Sequence, residues 1–148
     1  VTGADPNGGG HVTDEPAYFG KETGVPTGAG RYISVENDLP DMEIIPGLNI
    51  RPLFGTDFSV NFVRWDAHTE ADAHAHAEEQ LLFVIDGQLE VEFGDERHTL
   101  RAGDSVLLPA WVTHVARTHG EPAYQIDVFC PPRQSVIDLM AARGISRG

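Results

Sequence analysis

Cysteine is almost absent from this chain of 148 residues. Cys130 stands alone, which excludes an internal disulfide and a cysteine-rich zinc site and points to a reducing, cytoplasmic setting. Long apolar runs are missing too, so no transmembrane helix is expected. Basic residues are few: 10 Lys and Arg stand against 23 Asp and Glu, for a formal net charge of −13 and a pI of about 4.7. Such a balance repels phosphate backbones and anionic lipid, so neither nucleic acid nor a membrane is expected as a partner. The opening residues, Val1 to Asn7, have no basic segment leading into an apolar stretch, so no secretory leader is expected, although a chain starting with Val leaves a removed leader open.

What remains is the composition of a globular protein, 41% hydrophobic and 22% charged, at the length of one ordinary domain. Residues 1–30 are rich in Gly, Pro, Thr and Asp without periodicity and read as an irregular arm, which Tyr18 and Phe19 could anchor. From residue 31 to 148 the pattern is that of one folded domain. Short runs of Val, Ile, Leu and Phe recur between turn residues, predicting strands at 42–45, 48–54, 58–66, 80–86, 88–93, 98–101, 105–108, 114–118 and 123–129. Asp86 with Gly87, and Gly94 with Asp95, supply the backbone that tight hairpins need. One helix is expected over 134–143, with Val136, Leu139 and Met140 on one face and Gly144 as its stop. These elements predict an all-β sandwich or barrel with a short C-terminal helix.

His74 and His76 are two apart, so on an uninterrupted strand both imidazoles point the same way, and Gln80 keeps that parity. A His-x-His pair alone is commonly a surface feature. Here Gly103, Pro109 and His114 follow at a spacing that could bring a third imidazole from a neighbouring strand. Three imidazoles and an oxygen donor suit Zn, Mn, Fe, Co or Ni, so one divalent ion is the expected cofactor. Glu78 and Glu79 are alternative oxygen donors. His11, His68, His98 and His119 lack such partners and are expected to face solvent.

These residues resemble the two motifs of the cupins. In the first, His-x-His is followed after three or four residues by an acid and six residues later by Gly; this chain has His74, His76, Gln80 and Gly87. In the second, Gly, Pro, Gly, His and Asn recur at fixed spacing; this chain has Gly103, Pro109, Trp111, His114 and Thr118, keeping the spacing while replacing the acid, the second Gly and the Asn. The resemblance spans roughly residues 42–133 and implies a single cupin barrel, the double-stranded β-helix or jelly roll, over 31–148. It also implies His74, His76, Gln80 and His114 as metal ligands. With an amide in place of the acid, all four ligands are neutral and the ion keeps its full charge toward the cavity, which suits a Lewis acid.

Tyr124, Ile126 and Val128 alternate with Gln125, Asp127 and Phe129, so one strand face is apolar and the other carries an amide, an acid and an aromatic ring. With that second face inward, Asp127 would lie in a low-dielectric cavity as a general base. Arg133 follows Pro131 and Pro132, which hold the chain extended toward the cavity mouth. Gln80 as fourth ligand with Asp127, Phe129 and Pro-Pro-Arg at the barrel's end resembles the small cupins of pectin and alginate breakdown, the KdgF type, which convert 4,5-unsaturated uronates to open-chain keto sugars. The resemblance implies Asp127 for proton transfer, Arg133 as carboxylate clamp and Phe129 as cavity wall. It assigns Gln125 no role beyond that of a candidate substrate contact. Trp111 departs from the pattern and, near the mouth, would favour an aromatic or polycyclic substrate.

The expected activity is therefore metal-dependent, non-oxidative enolisation of a small oxygenated molecule. Its alternatives are a polyketide cyclase, a dioxygenase and a non-catalytic binding cupin. Leu81, Phe83 and Ile85, opposite the Gln80 face, predict a strand covered on both sides and hence a homodimer.

Overall fold

A computed structural model describes residues 14–147, which divide after Tyr32 into two units. Residues 14–32 form neither helix nor strand, and Tyr18 and Phe19 pack edge to face on each other at 4.8 Å. His11 lies outside the described residues.

The second unit opens with one helical turn, α1 (Val35–Asp38), and continues through β1 (Met42–Ile45), β2 (Leu48–Phe54), β3 (Ser59–Trp65), β4 (Glu70–His74), β5 (Glu79–Phe93), β6 (Glu96–Arg101), β7 (Ser105–Leu108), β8 (His114–Arg117), β9 (Ala123–Cys130) and α2 (Gln134–Ala142). All strand pairs are antiparallel and follow the order β1-β2-β3-β9-β5-β8-β4, with β6 and β7 also on β5. No helix among the described residues is long and apolar enough to cross a membrane.

β5 is the hinge of this barrel. Two strands separated by a turn at Asp86–Gly87 were expected, but the chain runs through as one strand of 15 residues. Its first part pairs with β7 and β9, its last part with β6 and β8, and the register slips between Val84 and Asp86. A bulge therefore replaces the hairpin and bends one strand from the first sheet into the second. Gly87 makes the bend possible: its φ is +75°, and a Cβ there would lie 2.0 Å from the Pro122 carbonyl oxygen. The turn residues are as the local sequence demands, but closure of the barrel decides that they bend the strand and do not reverse it.

Alternation fills the interior. Leu82, Val84, Leu89, Val91, Val63, Trp65 and Leu108 are buried from opposite walls, each contributing about 1.5–3 kcal/mol of apolar burial. α2 packs Val136 and Met140 into the same core. Leu81, Ile85 and Leu107 are exposed on the outer face, with Phe83 half-buried. His68, His98 and His119 are exposed.

Candidate metal centre

His74 ends β4 and stands directly opposite His114, the first residue of β8. The uninterrupted strand on which His74, His76 and Gln80 would share one face is not formed. The chain leaves β4 at His74, passes through irregular residues 75–78, and re-enters sheet at Glu79. His76 is placed by its backbone instead, its carbonyl accepting the Trp111 N–H at 2.8 Å. The result still gathers three imidazoles, with one ring nitrogen of each within 4.8 Å of the others.

Hydrogen bonds fix how those rings present themselves. Nδ1 of His74 lies 2.8 Å from the Asp72 carbonyl, Nδ1 of His76 2.9 Å from the Glu78 carbonyl, and Nδ1 of His114 2.9 Å from the Val112 carbonyl. A carbonyl can only accept, so each Nδ1 carries the proton and each Nε2 offers a lone pair. Nε2 of His114 is buried without a partner. Burial pushes His114 down to about 4 against the opposing pull of the Val112 carbonyl. It lowers His76 as well, helped by the Arg133 charge. Both rings are therefore neutral near pH 7, the form that ligates metals.

Gln80 tests the fit of an ion. Its Nε2 donates to Asp127 Oδ1 at 2.8 Å, which turns its Oε1 toward His76 Nε2 at 3.0 Å. Two lone-pair atoms thus face each other with no proton between them. Two ligand atoms at right angles, each about 2.1 Å from a metal, are themselves about 3.0 Å apart. The donors of His74, His76, Gln80 and His114 fit a divalent ion.

Behind this shell runs a buried polar chain. Asp127 Oδ1 also accepts Gln125 Nε2 at 2.8 Å, and Gln125 Oε1 accepts the Trp65 indole N–H at 2.7 Å. Gln125, without an assigned role from the sequence, orients the carboxylate. Burial pushes Asp127 up to about 6, moderated by the two amide donors and the Arg133 charge. The inward face of β9 is the one that carries Gln125, Asp127 and Phe129, all buried.

Arg133 reaches the same cavity from the N-terminus of α2, its guanidinium 5.8 Å over the Phe129 ring and 3.3 Å from Glu78 Oε2. Glu78 was expected, if anything, as a ligand. It is instead buried as the partner of Arg133, and its other oxygen accepts the Gln134 N–H at 2.7 Å. Burial alone would raise the Glu78 carboxyl, but the N–H groups of Gln134 and Glu78 itself and the Arg133 charge outweigh it and hold it low. Nothing in the local sequence marks this role, because Arg133 and Gln134 are more than fifty residues away.

His74, Gln80, His114, Gln125, Asp127 and Arg133 line a cavity of about 610 Å³ whose other walls are mostly aliphatic, from Ile44, Ile45, Leu48, Ile50, Val136 and Leu139. Trp111 is not among them and is 68% exposed, which corrects its expected place at the mouth. Its φ of +67° is the left-handed conformation a glycine adopts freely at that motif position. The backbone of the motif is kept and the indole is carried out to solvent.

A family model described as a cupin domain matches residues 61–129. A curated relative, an uncharacterized protein of Streptomyces coelicolor, is 30% identical over 76 residues, covering 51% of this chain and 72% of the relative. The chain belongs to the cupin superfamily. Among solved structures, this cupin is similar to an RmlC-like cupin from Shewanella frigidimarina, at 27% identity and a TM-score of 0.65, with 72% of this chain and 96% of the other covered. It is equally similar to KdgF from a Halomonas species, at 26% identity and a TM-score of 0.65, with 72% and 99% covered. Ectoine synthase from P. lautus shares the fold at 23% identity and a TM-score of 0.65, with 74% and 86% covered.

Proposed function

We propose that this cupin is a metal-dependent enzyme of non-oxidative enolisation, shifting a proton next to a carbonyl in a ketonisation, isomerisation or cyclisation. The observation that carries the reading is Asp127, a buried carboxyl raised to about 6 and joined through Gln80 to the imidazole cluster. A carboxyl in that range exchanges protons with carbon acids more readily than an ordinary one. Gln80 and Gln125 both hold Oδ1, and among the described residues no donor reaches Oδ2, which leaves that oxygen for the substrate proton. A divalent ion, when bound, supplies Lewis acidity to the carbonyl oxygen. In ketonisation the proton passes from the enol oxygen to carbon, in isomerisation from one carbon to another, and in cyclisation from the attacking carbon to the oxygen of the carbonyl attacked, so no oxidant or reductant is consumed.

Likeness to the KdgF-type cupins suggests a 4,5-unsaturated uronate as substrate, with Arg133 on its carboxylate and Phe129 as a wall. Two observations favour a second reading, the cyclisation of a poly-ketone: Arg133 is already paired with Glu78, and the cavity walls are largely aliphatic. The exposed row of Leu81, Ile85 and Leu107 supports self-association, which sedimentation velocity tests.

A panel of unsaturated uronates and linear poly-ketones, run with metal-loaded protein in deuterated water, tests the proposal. Deuterium incorporation that disappears in Asp127→Asn supports it. Oxygen uptake during turnover would place the protein among dioxygenases, and saturable binding without exchange would make it a binding protein.

A further inference from the structure

The inward residues of β3 are Ser59, Asn61, Val63 and Trp65. The two polar groups flanking Asn61 have partners: Ser59 Oγ accepts the Arg133 N–H at 2.9 Å, and the Trp65 indole donates to Gln125. Asn61 does not. Its side chain lines the cavity at 6% exposure, its Oδ1 is buried without a partner, and among the described residues no hydrogen bond engages either end of the amide. A buried amide oxygen without a partner costs free energy and calls for a cause. A hydrophobic residue would serve the fold better at this position.

The register shows what the amide is for. Asn61 is the cross-strand partner of Asp127, and facing residues on adjacent strands place their side chains within about 5.5 Å of each other. An amide with an unpartnered oxygen thus stands beside the carboxylate that the proposed chemistry uses, in a cavity whose walls include Ile50, Val63 and Val136. An Asn amide both gives and takes a hydrogen bond, and the small group that does the same in return is a hydroxyl.

We propose that Asn61 is a specificity-determining residue that binds a hydroxyl, or the enol form, of an uncharged ligand with an apolar body. The inference rests on the carbonyl chemistry proposed above and deepens it. It takes the second reading above, an uncharged ketone in place of a uronate, and narrows it to a hydroxylated ketone, held by the amide beside Asp127 while aliphatic side chains receive the carbon skeleton. A site that pairs a hydroxyl in this way rejects analogues lacking it, because the amide is then stranded again.

The test is calorimetric titration of the zinc-loaded and chelated protein with acetophenone, its ortho-, meta- and para-hydroxy derivatives and the matching methyl ethers. At least one hydroxy isomer is expected to bind about tenfold more tightly than its methyl ether to the wild type. Asn61→Leu should abolish that preference while leaving acetophenone affinity and zinc stoichiometry unchanged, and should raise the melting temperature of the empty protein. Asn61→Val serves as the second variant. Absence of a hydroxyl preference, or a preference that survives both variants, overturns the proposal. So does a lowered melting temperature in both, which would make the amide a structural group. An Asn61-dependent preference in zinc-loaded protein that exchanges no deuterium into the bound ketones would keep this subsite and refute the carbonyl chemistry instead.

Discussion

Asp127→Asn should stabilise the metal-free protein at neutral pH and lose that advantage in acid. In the folded chain the Asp127 carboxyl titrates at about 6 against an ordinary 3.8, burial being the main cause. The folded state therefore binds this proton more tightly than the unfolded state does. Below pH 3.8 both states carry it and the group costs nothing. As pH rises through 3.8 to about 6 the unfolded chain ionises first, and stability falls by about 3 kcal/mol. Asn lacks that penalty, and its carbonyl oxygen can accept from the same Gln80 and Gln125 amides. Subtracting about 1 kcal/mol for an amide N–H left without a partner gives an expected gain of about 2 kcal/mol at pH 8, vanishing by pH 4.

His114 makes the profile more informative because its contribution has the opposite sign. Burial holds its folded value at about 4 against an ordinary 6.5, so the unfolded chain takes up this proton while the folded one refuses it. Stability from this ring is complete above 6.5 and declines by about 3 kcal/mol as pH falls to about 4. In the wild type the two slopes overlap between about 4 and 6 and largely cancel; in Asp127→Asn the His114 slope, joined by those of the lowered His76 and Glu78, is no longer offset. Urea unfolding at half-unit intervals from pH 4 to 8, with a chelator present, measures both. A variant no more stable than wild type at pH 8, or one whose advantage persists unchanged at pH 4, would refute the argument.

His114→Ala removes a lone pair that has no partner in the protein, and zinc affinity should fall by about 100-fold or more, read by competition with a chelating dye. Glu78→Gln leaves the Arg133 guanidinium half-buried without its counter-charge; thermal and urea unfolding should register a loss of about 3 kcal/mol, and a neutral result would mean that solvent already screens the pair. Gly87→Ala places a Cβ against the Pro122 carbonyl at a positive φ, and a loss of at least about 2 kcal/mol is expected. An intact urea midpoint in that variant would show that the β5 bend does not depend on glycine.

The candidate ligands were legible because their spacing is local: His74, His76 and Gln80 lie within seven residues, and His114 sits at a fixed offset from Gly103 and Pro109. The inward face of β9 was legible for a similar reason, since a period of two states which side chains share a face. The strand path was not. The same glycine chemistry serves a hairpin and a bulge, and Gly87 became a bulge because β5 had to join both sheets. Trp111 was misplaced because its residue type was read without its backbone, whose left-handed φ turns the indole outward.

The sequence by itself determined a cupin barrel, the four candidate ligands and that Gln125, Asp127 and Phe129 share one strand face; the structure turned that face inward. Tertiary structure alone decided that Glu78 neutralises Arg133, that Trp65 and Gln125 orient Asp127, and that Asn61 faces Asp127 without a partner. The physical reason is that alternation along a strand fixes which residues share a face, whereas pairing among them depends on register between residues as far apart as Ser59 and Phe129. Barrel closure sets that register, together with the burial that moves Asp127 and His114 from their ordinary titration ranges.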